Sequence, residues 1–126
     1  MAEQVDLFAD PPPEAAPEPP QPETSGPRIQ YFDLETQKSA DDVGGWGNIH
    51  KMGLAVGVVW DSVDEDYSTY LEADALKLVE KLKTADLVVG FNAIGFDYTV
   101  LQPYANEKHI DLQEIPTFDM LSDVAR

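Results

Sequence analysis

The 126-residue sequence contains no cysteine. Disulfides, thiolate zinc sites and cysteine nucleophiles are therefore excluded. Long apolar runs are also lacking, because the most apolar stretch, 52–60, is far shorter than the ~20 residues that a membrane helix needs. Residues 1–4 lack the basic and apolar regions of a secretory signal. These absences predict a soluble, cytoplasmic protein without a membrane partner.

Basic residues are scarce: eight lysines and arginines stand against 24 aspartates and glutamates, for a net charge of −16. This charge disfavours a broad, sequence-independent grip on a phosphate backbone. It does not exclude a site that holds metal ions, because there the cations meet the phosphates. The composition therefore disfavours a passive nucleic-acid binder more strongly than a metal-dependent nuclease.

Proline is concentrated at one end, since residues 1–28 hold eight of the ten prolines. Glutamate, alanine and glutamine fill most of the gaps, so this stretch cannot build a hydrophobic core. We expect residues 1–28 to form an extended, disordered tail. Residues 29–126 are expected to form one globular domain.

The hydrophobic pattern of residues 29–126 predicts short strands separated by helices. The predicted strands are 28–36, 52–60, 66–71, 87–91 and 117–120. This order predicts an α/β fold with a mixed sheet, in which three meandering strands are followed by two parallel crossovers.

Two helices are predicted between the later strands. In Ala73–Lys83, the buried stripe is expected to contain Leu76, Val79 and Leu82, with Ala75 as a further candidate. Phe96–Tyr104 is expected to end at Pro103, because proline has no amide hydrogen to continue a helix.

The glycine-rich stretch 41–51 is predicted to be a flexible loop. Trp46 within it is interpreted as an aromatic anchor of that loop, with base stacking as the alternative.

Two acids, Asp33 and Glu35, stand two residues apart in the first strand, "YFDLETQ". Successive strand side chains point to opposite faces, so these two share one face. Like charges this close are unfavourable unless water or a divalent cation neutralises them. A solvated strand face is the alternative to a metal site.

A third acid, Asp97, follows the apolar strand in "VVGFNAIGFDYTVL". If this strand lies parallel to the first, Asp97 faces Asp33 and Glu35 across a crevice of the kind in which open sheets bind ligands. Three hard oxygen ligands suit Mg²⁺ or Mn²⁺. The alternative is that Asp97 is only an acid favoured by the dipole at a helix N-terminus.

Together "YFDLET" and "VVGFNAIGFD" resemble the first and second motifs of the DEDD (DnaQ-like) exonucleases of the ribonuclease H-like superfamily. The stretch 29–126 looks closest to the bacterial YprB-type ribonuclease H-like domains. The resemblance implies a ribonuclease H-like fold. It also implies a 3′–5′ exonuclease that hydrolyses single-stranded DNA or RNA ends with two Mg²⁺ or Mn²⁺ ions.

The resemblance assigns roles to the matching positions. Catalytic and metal-binding roles fall on Asp33, Glu35 and Asp97. Substrate-binding roles fall on Leu34, Thr36 and Asn92, of which Asn92 is equally suited to fixing the turn of the second motif.

The family's fourth acid, an aspartate on a later helix in a Tyr-x-x-x-Asp or His-x-x-x-x-Asp pattern, has no counterpart at the matching place. His109 is followed by Glu114 instead, ahead of the last strand. Asp119 sits where the family has a structural strand acid, and Asp123 follows too early. We therefore expect the domain to be incomplete at its C-terminus and inactive or weak as it stands.

Two other functions remain open. One is a non-catalytic ribonuclease H-like module that binds nucleic acid or protein in DNA repair or replication. The other is a ribonuclease H-type endonuclease, which is disfavoured because the second motif follows the exonuclease arrangement.

The tail contains "QVDLF", which resembles the short peptides by which bacterial replication and repair proteins bind the sliding clamp. Gln4, Leu7 and Phe8 are the predicted contacts, since a free strand would offer two large apolar anchors to a preformed pocket. The alternative is an initiator segment with two unrelated hydrophobic residues.

Overall fold

A computed structural model describes residues 26–124 and contains one five-stranded sheet. The strands are β1 (Ile29–Thr36), β2 (Leu54–Asp61), β3 (Asp66–Leu71), β4 (Leu87–Gly90) and β5 (Thr117–Asp119). Their order across the sheet is β3-β2-β1-β4-β5. β2 runs antiparallel to β1 and β3, whereas β4 runs parallel to β1 and β5. The predicted meander followed by two parallel crossovers is confirmed.

Four α-helices accompany the sheet: α1 (Ala40–Val43), α2 (Ala75–Lys83), α3 (Tyr98–Ala105) and α4 (Met120–Val124). α1 and a 3₁₀ segment, Trp46–Lys51, occupy the stretch predicted to be a flexible loop, so that prediction is wrong. The physical reason is a capping box: the Ser39 hydroxyl accepts from the amide of Asp42, whose carboxylate accepts from the amide of Ser39.

α2 packs on the sheet through Ala75, Leu78, Val79 and Leu82, all of them buried. Leu76, predicted for this stripe, is only half-buried, and Leu78 takes the central place. Gly57 of β2 allows this approach, because a Cβ there would lie 2.6 Å from Cδ2 of Leu78.

α3 contains Pro103 and ends at Ala105, one residue beyond the predicted Tyr104, so the proline does not itself stop the helix. Proline removes one backbone donor and crowds the preceding turn. Here Pro103 is exposed, whereas Leu101 and Ala105 on the same helix are fully buried. Their packing outweighs the local cost of the proline.

The two faces of the sheet differ. The face covered by α2 and α3 forms the hydrophobic core, which includes Phe32 and Leu34 of β1. On the other face, the strand register aligns one residue from each strand into a single row, the aromatic row: Tyr67, Trp60, Tyr31, Val89 and Phe118. A groove of about 660 Å³ runs along this row. Much of this face is open among the described residues, since Tyr67 is 67% exposed.

The predicted clamp-binding residues Gln4, Leu7 and Phe8 lie outside the described residues, so that interaction stays a prediction. Within residues 26–124, no helix combines the length and the apolar character needed to cross a bilayer.

Candidate functional site

Asp33 and Glu35 stand on the open face of β1 near its C-terminal end, and both are exposed. Leu34 between them points the opposite way and is buried in the core at 6% exposure. Because β4 runs parallel to β1, the chain leaves β4 at the same edge of the sheet. This topology directs the segment after Gly90 towards the two acids.

That segment forms a π-helical turn, Ala93–Asp97, entered through Asn92 at a left-handed φ of 55°. The Asn92 carbonyl accepts a 2.9 Å hydrogen bond from the amide of Phe96. A Cβ on Gly95 would lie 2.9 Å from Oδ1 of Asn92, so glycine allows this close approach. Asn92 therefore helps to shape the turn that carries Asp97.

Asp119, at the end of β5, braces the same turn. Its Oδ1 accepts from the Asn92 amide at 2.8 Å, and its Oδ2 accepts from the Ile94 amide at 2.9 Å. Burial alone would raise the pKa of Asp119, but the amides of Ile94 and Leu121 outweigh burial and hold the pKa below its usual value. The sequence marked Asp119 only as a structural acid. The two amides of the turn that it braces lie at least 25 residues away, beyond the reach of local patterns.

Asp97 is buried at 4% exposure, and its Oδ2 has no hydrogen-bond partner. Burial, together with the negative charges of Asp33, Asp119 and Glu35, raises the pKa of Asp97 to about 7. A buried carboxylate oxygen without a donor is costly unless a cation or a proton meets it. Asp97 is therefore suited to cation binding.

The three predicted ligands interact electrostatically but do not converge. Within residues 26–124, no three acidic or histidine side chains are arranged to hold one metal ion. Asp33 and Glu35 are exposed, so their side chains are free to change rotamer at little cost. The donor set therefore fits a hard cation, provided that the cation draws Asp33 and Glu35 towards Oδ2 of Asp97.

Thr36 lines a separate groove with Trp46 and Phe96, next to the acidic edge. Trp46 is 69% exposed and touches Phe96 by its edge, with the ring centroids 6.4 Å apart. Trp46, interpreted as an aromatic anchor of its loop, thus lies outside the hydrophobic core and meets Phe96 at the surface. Gly44 and Gly45, which directly precede Trp46, have φ of 92° and 116°, a backbone conformation that favours glycine.

No family model matches this sequence, and no curated protein does. A solved structure that does match is the family B DNA polymerase from the hyperthermophilic archaeon Pyrobaculum calidifontis, with 21% identity and a TM-score of 0.50. The match covers 79% of this chain and 13% of the polymerase chain. At this identity the likeness concerns the fold alone, which is ribonuclease H-like.

Proposed function

We propose that this chain is a metal-dependent 3′–5′ exonuclease domain of the DEDD (DnaQ-like) type, acting on single-stranded DNA or RNA ends. One observation carries the proposal: the buried, unpartnered Oδ2 of Asp97 lies at the sheet edge that also presents Asp33 and Glu35. A strongly perturbed carboxyl group beside other acids in a cleft is typical of an active site.

Asp33, Glu35 and Asp97 would hold Mg²⁺ or Mn²⁺, and the bound ions would supply electrophilic activation of the phosphodiester. The chain's own contribution is to keep Asp97 at this edge, through the turn at Asn92 and the brace from Asp119. A nearby cation favours the ionised form of Asp97, which burial and the neighbouring acids oppose.

The fold also supports a nucleic-acid substrate, since the matching region belongs to a DNA polymerase. We expect slow or no shortening of a labelled single strand in Mg²⁺ by residues 1–126. Residues 26–124 match three of the family's four carboxylates, and placing two ions and the attacking water depends on accurate geometry. Robust digestion that Asp97→Ala abolishes would show that three acids suffice.

A binding experiment tests the proposal without relying on turnover. Ca²⁺ replaces Mg²⁺, and a linear single strand is compared with a closed circle of the same sequence by competition. A 3′-exonuclease domain holds a strand end, so the linear strand should bind more tightly, and a bulky group on its 3′ end should remove the preference. Equal binding of linear and circular strands would contradict the proposal.

A second candidate is a non-catalytic protein-binding module. The observation that favours it is the aromatic row, because contiguous exposed apolar patches usually mark interaction sites. If this candidate is correct, linear and circular strands should bind equally well or not at all. Asp33→Asn should leave any such binding unchanged.

The tail carries a separate proposal: Gln4, Leu7 and Phe8 bind a bacterial sliding clamp. The expected affinity is micromolar or weaker, because ordering a short peptide on binding costs about 2–5 kcal/mol. Calorimetry with a peptide of residues 1–12 tests it. Failure to bind, or equal binding after Leu7→Ala and Phe8→Ala, would end the proposal.

A further inference from the structure

A groove of about 350 Å³, here called the Trp46 groove, lies between the end of β1, the start of α1, Trp46 and the turn before α3. Thr36, Trp46 and Phe96 are among its lining residues, together with Met52, which is 1% exposed. Its volume is at the lower end of the ~300–1,000 Å³ range of small-ligand pockets. It therefore has room for one planar group and little more.

Trp46 belongs to a hydrogen-bonded loop. The Gly45 amide donates to the Ala40 carbonyl at 2.7 Å, and the Asn48 amide donates to the Gly45 carbonyl at 3.1 Å. Asn48 Nδ2 also donates to the Val43 carbonyl at 2.9 Å. An aromatic side chain that is 69% exposed on such a braced loop can stack on a ligand with little ordering cost.

The groove adjoins the candidate active site along the chain. Thr36 directly follows Glu35, and Phe96 directly precedes Asp97. A ligand in the Trp46 groove therefore lies beside the edge at which the acids stand.

Charge narrows the class of ligand. Lys38 lines the groove and interacts electrostatically with Asp42 and Glu72, whereas Arg28 and Lys81 are paired with Asp61 at the other end of the sheet. Asp41 also lines it and can accept a hydrogen bond from an amino group. An aromatic wall, one cation and one acceptor suit a nucleotide: its base stacks, and its phosphate meets the lysine.

We infer that the Trp46 groove binds a nucleobase of the single strand, with Trp46 as the stacking residue and Lys38 as a phosphate contact. The inference rests on the proposed function, because it deepens the substrate site of the same domain. Base stacking tolerates any sequence, so the groove should select for single strands rather than for particular bases.

The test is fluorescence anisotropy of 5′-fluorescein-labelled (dT)8 with the full chain, in Ca²⁺ and separately in EDTA. Trp46→Ala should weaken binding about 10-fold, and Trp46→Phe should restore most of it. Tyr67→Ala is the matched control, because Tyr67 is a similarly exposed aromatic residue on the aromatic row. Lys38→Gln should lower the slope of log K against log salt by about 0.7.

The outcomes separate this inference from the proposed function. A preference for free 3′ ends with no effect of Trp46→Ala would overturn the groove and leave the exonuclease proposal standing. If Trp46→Ala weakens binding but linear and circular strands bind equally, the exonuclease proposal is overturned and the groove stands. Loss of binding in Tyr67→Ala but not in Trp46→Ala, or no binding of (dT)8 by the wild-type chain, would also overturn the inference.

Discussion

Of the three buried aspartates among the described residues, Asp61 at 1% exposure and Asp97 at 4% stand at opposite ends of the sheet. Asp61 is surrounded by donors: Arg28 at 2.7 Å, Gln30 at 3.0 Å and Lys81 at 3.2 Å. Asp97 has three acids as its electrostatic neighbours and an oxygen without a donor. The same residue type is thus stabilised at one end of the sheet and left unsatisfied at the other.

The pKa values move in opposite directions for this reason. Burial alone would raise the pKa of Asp61, but the Asp64 amide and the Arg28 guanidinium outweigh it and hold the pKa well below its usual range. For Asp97, burial and the neighbouring acids act together and raise the pKa to about 7. The difference shows that a buried acid with matched donors serves the fold, whereas one without them is a candidate for function.

Removing the Asp61 carboxylate should have the largest effect on the free energy of unfolding. Asp61→Ala leaves Arg28, Lys81 and Gln30 without their shared acceptor, which should lower the free energy of unfolding by about 3 kcal/mol. Urea denaturation measures it. Glu80→Ala removes an exposed acid from α2 and should change stability by less than about 0.5 kcal/mol. A loss in Asp61→Ala no larger than this control would refute a structural role.

Neutralising Asp97 should change the free energy of unfolding in the opposite direction, so that the protein becomes more stable. The folded pKa of about 7 exceeds the usual 3.8, so the stabilisation that comes with a protonated Asp97 is complete below pH 3.8 and is lost as pH rises to about 7. Asp97→Asn should therefore raise stability at pH 8, by an amount of order 2–3 kcal/mol.

Urea unfolding of wild type and Asp97→Asn across pH 5 to 8 measures this difference. The gap between the two proteins should widen with pH and level off above about 7. A gap that is independent of pH, or a less stable variant at pH 8, would contradict the account of Asp97.

Weakening the hydrogen bonds of Asp119 to the turn at Asn92 should have the smallest effect on the free energy of unfolding. Asp119→Asn keeps one acceptor oxygen, so either the Asn92 amide or the Ile94 amide loses its partner, at a cost of about 1–2 kcal/mol. Glu114→Gln, on an exposed residue nearby, is the control. Amide hydrogen exchange should locate the change in residues 92–97. Unchanged protection there would show that the brace is unimportant.

The sequence predicted the sheet edge that carries Asp33, Glu35 and Asp97 better than it predicted the surrounding structure. The period of two in β1 put Asp33 and Glu35 on one face, and the apolar strand before Asn92 indicated the parallel neighbour that directs Asp97 towards the same edge. Both inferences need only local periodicity and one topological rule.

Other features depend on long-range contacts and were not predicted. Asp61 meets Arg28 across 33 residues, and Asp64 pairs with Lys81 across 17. By contrast, α1 was missed although its signal is local. Ser39 and Asp42 have the spacing of a capping box, which glycine content masked.

The metal site proposed above needs the unsatisfied oxygen of Asp97 to bind a cation together with Asp33 and Glu35. The most direct test is the melting temperature at pH 7.5 with and without Mn²⁺, for wild type, Asp33→Asn, Asp97→Asn and the control Asp111→Asn. At ten times the dissociation constant, binding adds about 1.4 kcal/mol and should raise the melting temperature of wild type and the control by about 6 °C. The rise should vanish in Asp33→Asn and Asp97→Asn. An equal rise in all four proteins, or none in wild type, would contradict the claim.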